Sequence, residues 1–329
     1  MITSEVIVVG GGPAGSSCAW RLVRAGRETL LLDRAAFPRP KPCAGWITPR
    51  VLRALNLALE ACPFGIRPIR TLHLHFPSFT IPLPTRQYAV RRVEFDAWLV
   101  GRSGVSVERH EVRRIRRENG GYVLDETWRC RTLVGAGGTT CPVRRAVFGD
   151  APPRPAHGLV VALDAEFPQV VRDGRTHLWF GEAGLPGYAW YVPKEGGWVN
   201  VGIGGRISGL KARGVGLRWH WDRLLERLFE QGLVDDPRPV ARGHAYPLRI
   251  DTGPIRRDGC YLLGDAAGLA TVDLGEGIGP AVESGFLAAE AILRGTAYSV
   301  ASIPRRSLPA LLFPGLGRVA RGVPPTAPG

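Results

Sequence analysis

Apolar residues run in short continuous blocks near both ends of the chain and alternate with polar ones through its middle. Val6 to Val9 is one such block, as expected of a parallel strand buried on both faces. Pro13 suits a first helical turn, and the pattern from Ser16 to Arg24 carries a helix to a stop at Gly26. Thr29 to Leu32 is a second apolar strand, ending on Asp33. Beyond a proline-rich loop from Phe37 to Trp46, the spacing predicts a helix over Pro49 to Leu59. Thr71 to Phe76 alternates like a half-buried strand, which puts His73 and His75 together on a solvated face. Tyr88 to Arg91 reads as a short strand, and a helix starts at Arg92. Segments 105–110 and 122–124 are extended, and Arg131 to Val134 is a buried strand leading into glycines.

From Pro152 to Leu248 the texture is that of alternating strands. Tyr188 to Val192 and Val199 to Ile203 form a hairpin turning at Gly196 and Gly197. Trp219 to Gln231 is an amphipathic helix with Leu224, Leu225, Leu228 and Phe229 as its apolar stripe and Gly232 as its cap. Cys260 to Leu263 is again a continuous apolar strand, and it runs into Gly264-Asp265. A helix over Pro280 to Leu293 stops at Gly295. The tail after Ser302, rich in proline and arginine, is expected to be poorly ordered.

The first chemistry appears between the first strand and helix. Gly10, Gly12 and Gly15 make a Gly-x-Gly-x-x-Gly element. The first glycine allows the tight turn, the second lets backbone approach a pyrophosphate, and the third lets helix and strand pack closely. Asp33, 18 residues after Gly15, is placed to accept hydrogen bonds from a ribose diol. Strand, triplet, helix, strand and acid in that order point to a bound dinucleotide.

Composition changes this picture little. Formal net charge is +14, but of 43 basic residues three are lysine (Lys41, Lys194, Lys211), leaving 40 arginines. With 43 glycines and 28 prolines, that skew reads as compositional bias rather than a nucleic-acid footprint. A peripheral contact with an anionic membrane surface fits the charge better. The six cysteines form no CxxC pair and no metal-ligand spacing, which implies a reducing compartment and no metal site. A core strand starts within five residues of Met1, leaving no room for a signal peptide, so the expected location is cytoplasmic.

Five further elements extend the reading: Pro42-Cys-Ala-Gly45; Arg92 with Phe95-Asp96; Pro186-Gly-Tyr-Ala-Trp-Tyr-Val-Pro193; Leu263-Gly-Asp-Ala-Ala-Gly268; and Gly275-Glu-Gly-Ile-Gly279. Together with the glycine triplet they resemble the flavoproteins of para-hydroxybenzoate hydroxylase fold, and within those the geranylgeranyl reductase family. Two departures stand out. The family's Gly-Ala-Asp-Gly is here Gly135-Ala-Gly137-Gly138, without the acid, and the chain is shorter than typical members.

The resemblance implies an α/β protein, a doubly wound FAD-binding (Rossmann-like) domain interleaved with a mixed β-sheet substrate domain. Segments 1–70, 88–150 and 254–300 are assigned to the first, 71–87 and 151–253 to the second, and 301–329 to a C-terminal tail. FAD would be held by Gly10, Gly12, Pro13, Ala14, Gly15, Asp33, Arg34, Cys43, Ala44, Arg92, Gly137, Gly264, Asp265, Gly275, Gly277 and Ile278. Tyr188, Trp190 and Tyr191 would wall the substrate chain, with Tyr188, Trp190 and Cys43 catalytic and Cys43 relaying a proton. Glu182, His157 and His244 are polar candidates with no motif behind them. The implied activity is reduction of C=C bonds in an isoprenoid or lipid-like substrate by hydride from reduced flavin. NAD(P)H or a ferredoxin would be the electron donor. An FAD-dependent monooxygenase or halogenase of the same fold, and a non-catalytic flavin-binding protein, remain the alternatives.

Overall fold

A computed structural model describes residues 1–236, 238–250 and 253–307. Its chain builds two sheets. In the first, the strands lie in the order Arg256–Arg257, Cys260–Leu262, Trp128–Gly135, Ile2–Val9, Thr29–Asp33, Ser106–Arg109. Along this order all neighbours except the outermost pair, Arg256–Arg257 with Cys260–Leu262, run parallel, and the hairpin Ile115–Glu118/Gly121–Leu124 joins Trp128–Gly135 antiparallel off to one side. The continuous apolar runs have the cause read from them, since the central strands are covered on both sides. On one face the helix Pro13–Arg24 packs with Cys18, Ala19 and Leu22 on Val6, Val8 and Leu31. The helix Ile278–Arg294 lies beside it, and a Cβ on Gly285 would come within 2.4 Å of the Ala14 carbonyl oxygen. On the other face Ile7, Leu30, Leu133 and Leu262 meet Tyr122, Leu124 and Phe148.

The second sheet runs Arg242–Pro247, Leu159–Pro168, Trp198–Arg206, Gly187–Lys194, Thr176–Phe180, Ile66–Phe76, Phe79–Val90, Trp46–Ile47. It is mixed: Thr176–Phe180 pairs parallel with Ile66–Phe76, and the other neighbours are antiparallel. The hairpin expected at Gly196-Gly197 is present, with both glycines at positive φ. The amphipathic helix Leu217–Glu230 covers one face, where Trp221, Leu224, Leu225 and Leu228 pack on Val199, Val201 and Ile203. Phe229 is not part of that stripe and is 49% exposed.

Several local expectations are corrected. The helix from Pro49 ends at Ala54, and only a single 3₁₀ turn, Leu59–Ala61, follows. Ile66–Phe76 and Phe79–Val90 are one long hairpin, so the boundaries drawn at residues 70 and 88 fall inside continuous strands. His73 and His75 are half-buried, on a face they share with buried His177 rather than on an open one. Parallel register sets His73 beside His177, His75 Nε2 is 2.8 Å from His177 Nδ1, and His177 Nε2 is 3.1 Å from Asp173 Oδ2. Ile303 is buried and the Ser307 N–H donates to Asp273, so residues 303–307 are tied down. The rest of the expected tail lies outside the described residues.

Candidate active site

The carboxyl ends of the first sheet's strands and one face of the second sheet border a cleft of about 1330 Å³. Each glycine of the triplet does a different job there. Gly10 has φ +108°, and a Cβ on it would lie 2.4 Å from the Ala136 carbonyl oxygen. One on Gly15 would lie 1.9 Å from the Gly10 oxygen, so Gly15 is closed in by protein and does not line the cleft. A Cβ on Gly12 would meet nothing nearer than Arg39 Nη2 at 3.8 Å. Its open side is the cleft, at the amino end of the helix Pro13–Arg24, where amides and helix dipole attract an anion.

Around this cradle sit the polar groups. Asp33 Oδ2 accepts the Gly11 N–H at 2.7 Å and Oδ1 the Ala35 N–H at 2.9 Å, which fixes the carboxylate with lone pairs to spare for a diol. Arg92 forms a bidentate pair with Asp96 at 2.7 and 2.8 Å, and the Cys43 thiol lies beside its guanidinium. Arg39, which no motif singled out, stacks on Phe37 and stands 3.9 Å from Asp33 and 3.7 Å from Asp96. Its Nε is buried without a partner. Burial pushes the Asp265 carboxyl up, against Lys41, Arg92 and Arg154, and pushes the Lys41 ammonium down. An open glycine cradle, an orphaned cationic N–H and a fixed carboxylate at the end of the second strand are what a dinucleotide cofactor needs, and they fit FAD.

Beyond Asp265, the turn at Gly275 (φ +64°) leads into the helix Ile278–Arg294. Glu276 closes its amino end, with Oε1 accepting the Gly279 N–H at 2.6 Å.

The opposite wall belongs to the second sheet. Tyr188 and Trp190 face the cleft from the strand Gly187–Lys194. The Tyr188 hydroxyl donates to the Leu274 carbonyl at 2.5 Å, and Trp190 Nε1 donates to Asn200 Oδ1 at 2.7 Å. Tyr191 is a correction. It lies between two cleft-side neighbours in a pleated strand, so its ring turns to the helix-covered face, where its hydroxyl donates to the Asp173 carbonyl. Trp190 lies flat where Gly202 lacks a side chain: a Cβ there would come within 2.0 Å of its ring. Cys43 is anchored on this side, its N–H donating to Asp164 Oδ2 at 2.9 Å and its Sγ accepting the Gly45 N–H at 3.3 Å.

Gly10, Gly12, Pro13, Ala14, Asp33, Arg34, Cys43, Ala44, Arg92, Gly137, Gly264, Asp265, Gly275, Gly277, Ile278, Tyr188 and Trp190 all line the one cleft. Of the unplaced polar candidates, His244 lines it too, with burial holding its imidazole down at about 3. His157 lies exposed on a surface turn, and Glu182 pairs with Arg227, away from it. Sequence reasoning missed Arg39, Lys41, Asp164, Asn200 and Tyr246. Only Lys41 carried a signal, as a lysine next to the Pro42-Cys-Ala-Gly45 element in an arginine-dominated chain.

Residues 8–40 match the NAD(P)-binding Rossmann-like domain. The chain is 30% identical to the menaquinone reductase of Mycobacterium tuberculosis, over 88% of this chain and 76% of that protein. It is also 30% identical to the geranylgeranyl diphosphate reductase of Rhodobacter capsulatus, over 88% of this chain and 75% of that protein. The solved geranylgeranyl bacteriochlorophyll reductase-like protein of Thermoplasma acidophilum superposes with a TM-score of 0.76 at 25% identity, covering 90% of this chain and 80% of that one. With the Gly12 cradle and the Tyr188–Trp190 wall in one cleft, and likeness of this extent, the chain belongs to the geranylgeranyl reductase family of FAD-dependent oxidoreductases.

Proposed function

We propose that this enzyme saturates C=C bonds in an isoprenoid chain or isoprenoid-bearing lipid. The observation that carries the reading is the wall opposite the cofactor cradle. Tyr188 and Trp190 project from it over Ala162, with Leu274 and Trp46 alongside. Such a surface suits a hydrocarbon with no groups to hydrogen-bond. The names of its relatives, reductases of geranylgeranyl diphosphate and of menaquinone, point the same way.

When bound, reduced FAD supplies a hydride for one alkene carbon. The protein's part is to hold the chain flat, exclude water and deliver a proton to the other carbon. Trp190, locked by Asn200, and Tyr188, locked by the Leu274 carbonyl, hold the chain. The Cys43 thiol is the proposed proton source, on a loop fixed by Asp164 and by Gly45, whose φ is +68°. Burial keeps the Tyr188 and Tyr246 phenols protonated, so the wall carries no anion.

The test is a single anaerobic turnover. Dithionite-reduced enzyme mixed with a polyprenyl substrate should return oxidised flavin and a product two mass units heavier per bond saturated. An oxygen-dependent hydroxylated or halogenated product, with no anaerobic turnover, would instead assign the enzyme to the oxygenase branch of the fold.

A further inference from the structure

The cleft wall does not stop at the cleft. Its apolar face continues through the strand Thr176–Phe180 onto the hairpin Ile66–Phe76/Phe79–Val90. Phe180 pairs with Tyr188, and across the hairpin Leu72, Leu74 and Phe76 pair with Leu83, Ile81 and Phe79. Ring centroids step from Trp190 to Tyr188 at 5.8 Å, to Phe180 at 5.3 Å, to Phe76 at 5.3 Å and to Phe79 at 4.8 Å. The ladder starts buried and ends in the open. Phe79 is 56% exposed and Ile81 is 43% exposed. A two-stranded tip with bare large apolar side chains marks an interaction surface.

Charge selects the partner. From Ala61 to Val93 the sequence holds five arginines and no acidic residue; Arg91 pairs with Glu94 and Glu166 and buried Arg92 with Asp96, so the hairpin's outward charge rests on Arg67, Arg70 and Arg86. Arg70 and Arg86 are exposed, and Arg86 lines the cleft. A second copy of this chain would present the same positive stretch to itself, against a net charge of +14 on each molecule. An anionic bilayer accepts both features, drawing the arginines to its headgroups and the phenylalanines below them. Among the described residues no helix is long and apolar enough to cross a membrane, so any contact made here is peripheral.

We propose that the exposed end of this hairpin docks on an anionic lipid bilayer and that its apolar face passes the substrate's hydrocarbon chain from the bilayer to Trp190. The passage of substrate rests on the isoprenoid reading; the docking face does not.

The experiment uses FAD-loaded enzyme and vesicles of phosphatidylcholine alone or with about 30% phosphatidylglycerol. Co-sedimentation should show binding to the anionic vesicles that weakens as salt rises. The double variant Phe79→Glu/Ile81→Glu, altered at two exposed positions outside the cleft, should lose about tenfold or more of that binding. Its circular dichroism and flavin absorbance should match the wild type. Its kcat/KM should fall for a vesicle-embedded prenyl lipid and hold for a short water-soluble prenyl diphosphate. Wild-type enzyme that ignores anionic vesicles, or a variant that binds them equally well, overturns the proposal. So does a wild-type dimer dispersed by the same two substitutions, which would make the face a contact between copies. Vesicle binding lost in the variant while neither form of prenyl substrate is turned over supports the docking face and sinks the substrate reading alone.

Discussion

Asp164 Oδ2 accepts the backbone N–H of Cys43 at 2.9 Å, joining residues 121 positions apart. The same oxygen accepts Asn200 Nδ2 at 2.9 Å, and Asn200 in turn accepts Trp190 Nε1. One buried acid thus sets the spacing between the thiol loop and the aromatic wall. Burial raises its carboxyl, and the Asn200 and Cys43 donors pull it back. Asp164→Ala would strand the buried Asn200 amide and the half-buried Cys43 N–H, at about 1–3 kcal/mol for the first and less for the second. The expected result is a lower midpoint in urea and slower reoxidation of reduced flavin by substrate, with FAD affinity little changed. Asp164→Asn, which keeps an acceptor, should lose about half as much stability. Wild-type values for the alanine variant in both assays would show that this link does not hold the site.

The glycine triplet separates binding from folding. Gly12→Val places its side chain in open space at the cleft, so the variant should fold and lose FAD, read as colourless protein with native circular dichroism. Gly15→Val would drive a side chain into the Gly10 carbonyl, 1.9 Å away from its Cβ, and should not fold at all. Asp33→Ala should weaken FAD by about 1.5–3 kcal/mol, the loss of hydrogen bonds to a charged acceptor. Stoichiometric flavin on Gly12→Val would place the pyrophosphate elsewhere.

Legibility in the sequence followed the range of the interactions. The elements flanking Gly10–Gly15 and Gly275–Gly279 are short-range, so strand, turn and helix could be read from adjacent residues. Tyr188 and Trp190 were legible as a motif, but Tyr191 was misplaced because the aromatics at 188, 190 and 191 were read as one wall, against the two-residue alternation of a strand. Asp164 and Asn200 left no trace because their partners are 121 and 36 residues away. Arg39 was hidden among 40 arginines and acquires meaning only beside Asp33 and Asp96. The histidines at 73 and 75 depended on which strand pairs next to theirs, and local pattern does not specify that.

Cys43 yields a sharper test than its position alone. Its thiol lines the cleft beside the Arg92 guanidinium, its own N–H is held by Asp164 and its sulfur accepts the Gly45 N–H. If it delivers the proton, Cys43→Ser should slow substrate-dependent reoxidation of the flavin by about 10²-fold or more while leaving flavin reduction by the donor unchanged. Stopped-flow traces of the two half-reactions separate these effects. Equal rates for wild type and variant in both would reduce Cys43 to a packing role.

Glu276 gives the pH dependence. Burial pushes its carboxyl up to about 7 from the ordinary 4.5, with the Gly279 N–H opposing the shift and Glu283 adding to it. Between those two values the folded chain keeps a proton that the unfolded chain has already released. The sign follows: this group's contribution to stability is fully present below the ordinary carboxyl range and is lost as pH rises through about 7. Glu276→Gln keeps an oxygen to accept the Gly279 N–H and removes the titration. The FAD-free variant should therefore gain on the wild type by roughly 3 kcal/mol toward pH 8, with no advantage below about pH 4.5. An ionised carboxylate at this amino end also offsets part of the helix's positive potential toward the cofactor. In the loaded protein, then, the flavin potential of the wild type should fall more steeply with pH than that of Glu276→Gln. Urea midpoints measured across that range decide the first point and spectroelectrochemical titration the second. Parallel curves for the two proteins in both measurements would mean that Glu276 keeps its ordinary affinity for a proton.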